Sequence, residues 1–346
     1  MGRDFNTYII MAHDRKVCSI ERATGIVEIF REDLVPMDLY LEVGENADNF
    51  NNVEVFNWWC AHRILSLDRE YAKELLNSCG LKQATTDRDK ADIALLCKCL
   101  SLKDFYWVQK DTDNFSWKDI NLFDNSLSNA VVDIALLGQN LTIHNTELIS
   151  QDLATDGVFP KAWIREDNGF ILLKADRNDS VNKEVYASKL LCKLGFQVLP
   201  YEKGQYKGTT IAKCNCFTKK ELGYITAGDL NSNYDLEKED DYYRMNLADY
   251  LIGNSDRHQD NWGYLFDQNR AIIGFAPLFD FNHAFEAPID YRCLPEQLFH
   301  RNVSALQAAS EAAQHLCLKL EPLEGDDDYT KFVNERIQVL YDRELE

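Results

Sequence analysis

The chain has 346 residues, of which 45% are hydrophobic and 27% are charged, as is typical of a folded globular protein with a large core. Two domains or two lobes are the expected organisation at this length. Lysine and arginine together number 37 and aspartate and glutamate 57, which gives a net charge of −20. This charge repels phosphates at long range and argues against general nucleic-acid binding and against binding to anionic membranes.

The sequence predicts a cytoplasmic protein. Its first residues are polar and lack the apolar stretch of a secretion signal, and no window is apolar for long enough to cross a bilayer. The ten cysteines include the pairs Cys97/Cys99 and Cys214/Cys216, whose spacing does not match a zinc ribbon. We therefore expect reduced and mostly buried thiols.

The N-terminal part of the chain predicts strands followed by helices. Three short apolar runs between Thr7 and Phe30 are typical of strands. From Phe56 to Leu102 the apolar residues recur at helical intervals. We expect residues 1–150 to form an accessory region that either completes a nucleotide-binding lobe or contacts a partner.

Two Ser/Thr-x-x-Asp patterns lie in this helical region. Thr86 with Asp89 and Ser101 with Asp104 have the spacing of capping boxes, in which an acidic side chain replaces the usual glutamate. Each pattern predicts the start of a helix and carries no chemistry.

The next part of the chain predicts a nucleotide-binding lobe over residues 151–217. A strand is predicted for Lys161-Ala-Trp-Ile164, a hairpin turn for Asp167-Asn-Gly169, and a second strand from Phe170 to Lys174. A helix follows from Val181 to Leu194.

Residues 218–346 are predicted to form a mostly helical lobe. Their predicted elements are a helix from Tyr243 to Ile252 that stops at Gly253, strands from Trp262 to Phe266 and from Ala271 to Phe275, and helices from Leu294 onward. A further strand, from Gly208 to Phe217, is predicted at the end of the preceding lobe.

The candidate chemistry is concentrated after the helix that ends at Gly253. Asp256 stands in the loop, Asn261 follows five positions later, and Asp280 comes just after the predicted hairpin. Alone, Asp256 would be read as a polar residue that satisfies a turn. Phosphoryl transfer, however, needs one carboxylate to orient a hydroxyl, and an Asn and an Asp to hold magnesium. Asp280 also lies among large apolar residues, where a carboxylate is costly unless a cation or hydrogen-bond donors compensate it.

Five residues are candidates for binding a nucleotide. Lys174 ends an apolar strand, and Glu184 in the following helix is placed to pair with it and hold it toward phosphates. The alternatives are a surface lysine with a buried stem and a glutamate that favours the helix dipole. Gly157 and Lys161 bracket a turn whose N–H groups could approach phosphate, although a single glycine is a weak signal. Phe217 ends the predicted strand that would lie along adenine.

The motif also contains two histidines and an arginine. His258 either orients the loop by a hydrogen bond or assists proton movement, and the orienting role is favoured. His283 either holds the segment after Asp280 or contacts phosphate. Arg257 is interpreted as one half of a surface ion pair and is given no role.

These motifs resemble those of the HipA-like serine/threonine kinases, relatives of the protein-kinase and phosphoinositide-kinase superfamily. The resemblance runs from about Asp152 to about Leu320 and is carried by Gly157-Val-Phe-Pro-Lys161, Leu173-Lys174, Asn182-Lys-Glu184, Asn254-Ser-Asp-Arg-His-Gln-Asp-Asn261 and Pro277-Leu-Phe-Asp280. It implies an α+β, bilobal protein-kinase-like fold, with a β-rich N-lobe, an extra N-terminal region and a mostly helical C-lobe. It further implies ATP and Mg²⁺ as cofactors, Asp256 as the catalytic aspartate, and Asn261 and Asp280 as magnesium ligands.

The favoured function is therefore ATP- and Mg²⁺-dependent transfer of the γ-phosphate to a protein hydroxyl. The motifs around Asp256 and Asp280 are also similar to those of phosphoinositide kinases, so a lipid acceptor stays open. A third alternative is a nucleotide-binding regulator or toxin–antitoxin component with little transfer activity. Ala154 stands where the family has its regulatory autophosphorylation serine. The expected partners are a protein substrate and a regulatory protein, with no general nucleic-acid binding and no membrane.

Overall fold

The computed structural model of the chain describes residues 6–63, 86–125, 160–166, 169–230, 240–292 and 303–344. The chain divides into two compact units. Unit 1 consists of Met1–Lys174, Thr218–Ile225 and Leu265–Gly274, and unit 2 consists of Ala175–Phe217, Thr226–Tyr264 and Phe275–Glu346.

The described residues form both helices and antiparallel sheets, so the predicted α+β class is confirmed. In chain order the elements are β1 (Thr7–Ala12), β2 (Arg15–Glu21), β3 (Ile26–Ile29), a short 3₁₀ helix (Glu32–Leu34), α1 (Asn49–Ala61), α2 (Asp87–Leu96), β4 (Tyr106–Lys110), α3 (Trp117–Ile120), β5 (Lys161–Glu166), β6 (Gly169–Ala175), α4 (Ser180–Lys193), β7 (Glu202–Tyr206), β8 (Thr209–Asn215), β9 (Leu222–Thr226), α5 (Asp240–Ile252), β10 (Gly263–Asp267), β11 (Ile272–Phe275), α6 (Ala305–His315) and α7 (Asp328–Glu344). Within these residues, no helix is both long and apolar enough to span a bilayer.

Unit 1 contains the strands predicted between Thr7 and Phe30. Strands β1 to β4 form an antiparallel sheet in the order β3-β2-β1-β4. Helices α1 and α2 pack against each other, and the ring of Phe56 in α1 lies 5.8 Å from that of Tyr8 in β1. Helix α1 begins at Asn49, earlier than predicted, because the side chain of Asp48 accepts a hydrogen bond from the amide of Asn51.

The two predicted capping boxes have different outcomes. The Thr86/Asp89 box is confirmed at the start of α2. The Ser101/Asp104 prediction is wrong, because no helix begins there. Asp104 instead forms a buried ion pair with Arg63, at 2.6 Å, and accepts a hydrogen bond from the first amide of β4. A buried guanidinium needs a carboxylate partner, and this requirement decides the conformation of the turn.

Unit 1 also contains the predicted hairpin of β5 and β6, which pair antiparallel with Lys161 opposite Lys174. Its turn residues 167–168 lie outside the described part of the chain. Most residues of β9, β10 and β11 also belong to unit 1, and these strands form a sheet in the order β11-β10-β9.

Unit 2 is built around α5. Every residue from Met245 to Ile252 is buried, and α5 packs against α6 and α7. A helix that is buried on all sides is a rigid base for the loop that follows it. The predicted helix from Val181 to Leu194 is confirmed as α4, and the predicted strand from Gly208 to Phe217 as β8. The helices predicted after Leu294 include α6 and α7, while residues 293–302 lie outside the described residues.

The burial of the thiols predicts their order of reaction with an alkylating agent. Burial raises the pKa of Cys18 to about 12 and that of Cys60 well above the usual thiol range, so both stay protonated and shielded. Cys192 and Cys317 are exposed, and burial of part of its side chain raises the pKa of Cys192. Among the cysteines that the structure describes, brief iodoacetamide treatment of the native protein near pH 8, followed by mass spectrometry, should label Cys317 first and Cys192 second. Labelling of Cys18 or Cys60 before unfolding would contradict the predicted order.

Candidate functional site

The loop that carries Asp256 begins at a glycine whose conformation and surroundings exclude other residues. Gly253 has a φ of +60°, and a Cβ built on it would lie 2.7 Å from Cζ of Phe332. The next residue, Asn254, is fully buried and donates from its backbone amide and its side chain to Asp249 in α5, at 2.9 and 3.0 Å. The chain therefore leaves α5 in one fixed direction.

Arg257 holds the loop to its surroundings. Its Nε and Nη2 donate to the two carboxylate oxygens of Asp249, at 2.8 and 2.9 Å, and both side chains are buried. Its Nη1 donates to the backbone carbonyls of Asn261, at 2.7 Å, and Phe279, at 2.9 Å. The interpretation of Arg257 as half of a surface ion pair is wrong, because the planar guanidinium fits a bidentate carboxylate on the inner side of α5.

We call Asp249, Arg257 and the two carbonyls that Arg257 binds the arginine cluster. It connects the segment of Asn261 with the segment that leads to Asp280. These segments carry the two predicted metal ligands, so a buried residue that had no predicted role fixes their spacing. The signal in the sequence was the pair Asp249 and Arg257, eight positions apart across the end of a helix.

Asn261 closes the loop on itself and is almost fully buried. Its Oδ1 accepts from the amide of His258 at 3.1 Å, and its Nδ2 donates to the carbonyl of Asp256 at 2.8 Å. The backbone of Asp256 is thereby held, while its carboxylate is 52% exposed and accessible to a substrate. His258 has an Nδ1 that accepts from the amide of Asp260 at 3.3 Å, a contact that suits an orienting role.

Asp280 has an unusual backbone conformation. Its φ is +63°, in the left-handed region that non-glycine residues rarely adopt, and its amide donates to Oη of Tyr201 at 3.4 Å. Such strain costs of order 1–3 kcal/mol and occurs preferentially at functional sites. The ring of the preceding Phe279 lies 5.6 Å from that of Phe217, so this predicted adenine neighbour lies beside the Asp280 segment.

The chemistry of Asn261 and Asp280 fits magnesium. Mg²⁺ prefers oxygen ligands, usually one or two carboxylates that it shares with phosphates and water. The Oδ1 of Asn261 accepts from the amide of His258 at 3.1 Å and, more weakly, from Nη1 of Arg257 at 3.5 Å, and Asp280 supplies a carboxylate. Asn261 would supply an amide oxygen and Asp280 a carboxylate oxygen for such an ion.

His283 contacts Asp256 and also a third carboxylate, Glu286, which in turn binds a lysine. Nε2 of His283 lies 3.8 Å from Oδ2 of Asp256, and its Nδ1 lies 2.9 Å from Oε2 of Glu286. Glu286 in turn forms a salt bridge with Lys183 in α4. Sequence reasoning missed Glu286 and Lys183, whose only signal was that Lys183 precedes Glu184.

Helix α7 contacts the end of α5 and the segment after His283 through one buried side chain. Arg336 is buried, with its Nε 2.9 Å from the carbonyl of Tyr250 and its Nη2 2.7 Å from the carbonyls of Ala287 and Pro288. Its guanidinium also stacks on the ring of Phe332, at 3.9 Å. Burial lowers the pKa of Arg336, a shift that neighbouring tyrosines oppose. One side chain thus connects the end of α5 with the segment that follows His283.

The predicted phosphate-binding lysines lie in unit 1. Lys161 and Lys174 are directly opposite each other on neighbouring strands, and they share one face of the hairpin with Trp163. Lys161 is only 8% exposed. Two like charges opposite each other repel, so this pair favours an anion nearby. Gly157, the other predicted residue of this turn, lies outside the described residues.

Glu184 is only 1% exposed and lies in α4 of unit 2. A buried carboxylate requires a positive or hydrogen-bonding partner. Lys174 belongs to unit 1, so pairing between Glu184 and Lys174 stays a prediction.

Comparison with known proteins gives a curated relative and several similar solved structures, whereas no family model matches the chain. The chain is similar to the serine/threonine-protein kinase CtkA of Helicobacter pylori (strain J99), with 28% identity over 123 residues. The match covers 28% of this chain and 38% of CtkA, so the chain matches less than half of that relative's length.

The similar solved structures include the following two. The crystal structure of the Helicobacter pylori proinflammatory kinase CtkA has a TM-score of 0.42 and 16% identity, and the match covers 53% of this chain and 90% of that one. The toxin–antitoxin HipA, HipB and operator DNA complex of Shewanella oneidensis MR-1 has a TM-score of 0.49 and 11% identity, with coverage of 97% and 96%. The similarity of the sequence to a serine/threonine-protein kinase confirms the resemblance to kinases that the motifs indicate.

Proposed function

We propose that the chain is an ATP- and Mg²⁺-dependent kinase that transfers the γ-phosphate to a serine or threonine hydroxyl of a protein. The observation that carries this proposal is the arginine cluster, which fixes the segments of Asn261 and Asp280 beside an accessible Asp256. A carboxylate for the hydroxyl and two oxygen ligands for a metal are the groups that phosphoryl transfer requires.

In this proposal each predicted residue has one role in the transfer. Asp256 orients the acceptor hydroxyl toward the γ-phosphorus and accepts its proton. His258 keeps the loop in shape through the amide of Asp260. Asn261 and Asp280 hold magnesium, which when bound neutralises charge on the phosphates.

The nucleotide is held by the remaining predicted residues. Lys161 and Lys174 bind phosphate oxygens, an assignment supported by their position side by side on one face of the hairpin. Glu184 orients Lys174, and Phe217 lies against adenine. Gly157 brings backbone N–H groups toward the phosphates. Residues 151–217 would then be the nucleotide-binding lobe and residues 218–346 the catalytic lobe.

The acceptor is proposed to be a protein because the net charge of −20 disfavours the anionic surface that carries phosphoinositides. Residues 1–150 are proposed as the accessory region. A regulatory protein partner and a cytoplasmic location stay predictions from the sequence.

A transfer assay with γ-labelled ATP tests this function. We expect label to appear in the protein or in a serine/threonine peptide library with magnesium, to disappear with excess EDTA, and to return when magnesium is added back. Asp280→Asn should abolish transfer or raise the magnesium concentration that it requires. If ATP raises the unfolding temperature but no label moves, the chain is a nucleotide-binding regulator. Label that moves only to phosphoinositide vesicles would identify a lipid kinase.

A further inference from the structure

Four charged or ionisable side chains of unit 2 lie in series, from the catalytic loop to α4. We call Asp256, His283, Glu286 and Lys183 the coupling series. Its three contacts are 3.8 Å from Oδ2 of Asp256 to Nε2 of His283, 2.9 Å from Nδ1 of His283 to Oε2 of Glu286, and a hydrogen bond from Nζ of Lys183 to Oε1 of Glu286. The proposed mechanism uses only the first of these residues.

The hydrogen bonds determine how His283 is oriented. Burial raises the pKa of Glu286, but hydrogen bonds from Lys183 and His283 outweigh burial and lower it, so Glu286 is a carboxylate near neutral pH. A carboxylate only accepts hydrogen bonds, so Nδ1 of His283 carries a proton and donates it. The ring is thereby fixed with Nε2 toward Asp256, 3.8 Å from its Oδ2.

The other end of the series lies beside a proposed nucleotide-binding residue. Lys183 immediately precedes Glu184, which in the proposed function orients Lys174. Lys183 is 16% exposed on its side chain, so its stem is buried and its position follows that of α4. Movement of α4 would therefore be transmitted to Glu286, then to the ring of His283, and then to the carboxylate of Asp256.

We propose that His283 is a positioning residue that holds the carboxylate of Asp256, and that Glu286 and Lys183 make this action depend on the position of α4. The proposal rests on the proposed function. It gives the site a physical link between its nucleotide-binding helix and its acceptor-binding carboxylate. Displacement of a catalytic group by about 1 Å is enough to lower a rate by roughly a hundredfold, so positioning of this kind has a measurable effect.

The first test is the His283→Ala variant. We expect kcat to fall by roughly tenfold to a hundredfold, while KM for ATP changes by less than about twofold. His315→Ala is the matched control, because His315 is equally exposed, at 39% against 38%, and also contacts a carboxylate, Asp240, at 3.0 Å. Unchanged kcat in His283→Ala, or an equal loss in both variants, would overturn the proposal.

A double-mutant cycle distinguishes action through Asp256 from a general structural effect. If His283 acts through Asp256, adding His283→Ala to Asp256→Asn should lower the residual transfer no further. A second loss as large as that in the wild-type background would refute positioning. Glu286→Gln and Lys183→Met should each lower kcat several-fold, and neither should lower it further in the His283→Ala background.

The inference can fail separately from the proposed function. Wild-type protein without any transfer would reject the function, whereas wild-type rates in His283→Ala would reject only the coupling series. The unfolding midpoints of the same variants provide a second cycle that needs no activity. Interacting side chains give non-additive shifts of the midpoint, and strictly additive shifts of Asp256→Asn and His283→Ala would exclude the contact.

Discussion

Replacing Asp256 with asparagine should lower kcat for phosphate transfer by about 10³-fold, within the usual range for loss of a group that orients and deprotonates a nucleophile. The change should leave the fold intact. The loop is held through the backbone of Asp256, which is bonded to Asn254 and Asn261, while its carboxylate is 52% exposed. Stability and ATP-dependent thermal stabilisation should therefore stay near those of the wild type.

Asp260→Asn is the matched control for this prediction. Asp260 lies in the same loop, its side chain is 74% exposed, and it has the same size and charge as Asp256. Its proposed contact with His258 is made by its backbone amide, which the variant keeps, and its carboxylate lies 3.6 Å from Nδ1 of His258 in solvent, so the variant should keep a rate close to that of the wild type. Comparable rates in the two variants, measured with γ-labelled ATP at saturating magnesium, would reject Asp256 as the catalytic aspartate.

The second large effect is expected from Asp249→Ala, which leaves the buried guanidinium of Arg257 without its carboxylate. Removing one partner of a buried ion pair costs about 3–5 kcal/mol of unfolding free energy. The change also removes the side-chain acceptor of Asn254 and loosens the loop that carries Asp256. Transfer should therefore be lost together with stability, which chemical denaturation would measure.

A surface ion pair of similar geometry is the comparison. Arg31 and Asp33 lie 2.7 Å apart, with side chains that are 47% and 61% exposed. Solvent and salt screen such a pair, so Asp33→Ala should not change the denaturation midpoint measurably. If Asp249→Ala changes the denaturation midpoint as little as Asp33→Ala does, the arginine cluster does not support the loop as described.

Periodicity and turn chemistry were sufficient to predict most of the elements of the fold. The hairpin of β5 and β6 is an example, because a turn placed between two apolar runs fixes the register that sets Lys161 opposite Lys174. The candidate loop was equally accessible to prediction, since the spacing of Asp256, Asn261 and Asp280 is a property of the sequence.

Long-range pairing of charges was not accessible in the same way. Thr86/Asp89 and Ser101/Asp104 have the same pattern, yet only the first caps a helix, because the second carboxylate is needed by Arg63. Arg63 lies 41 residues away along the chain, so no pattern near Ser101 indicates that Asp104 will bind it.

Arg257 shows the same limit within the site. Its neighbours in the sequence are polar and typical of an exposed loop, while its partner Asp249 lies inside a helix that sequence periodicity does not orient. The coupling series could not be predicted from the sequence for a related reason. Its contact between Lys183 and Glu286 joins residues 103 positions apart.

The contacts of Arg336 determine when, during synthesis of the chain, the end of α5 can reach its final packing. The carbonyl of Tyr250 that Arg336 binds is synthesised 86 residues earlier. While the chain is still on the ribosome, α5 and the loop after it emerge before α7, and the polar groups that α7 will cover are open to water. The end of α5, from which the loop of Asp256 starts, therefore reaches its final packing only after translation has passed Arg336.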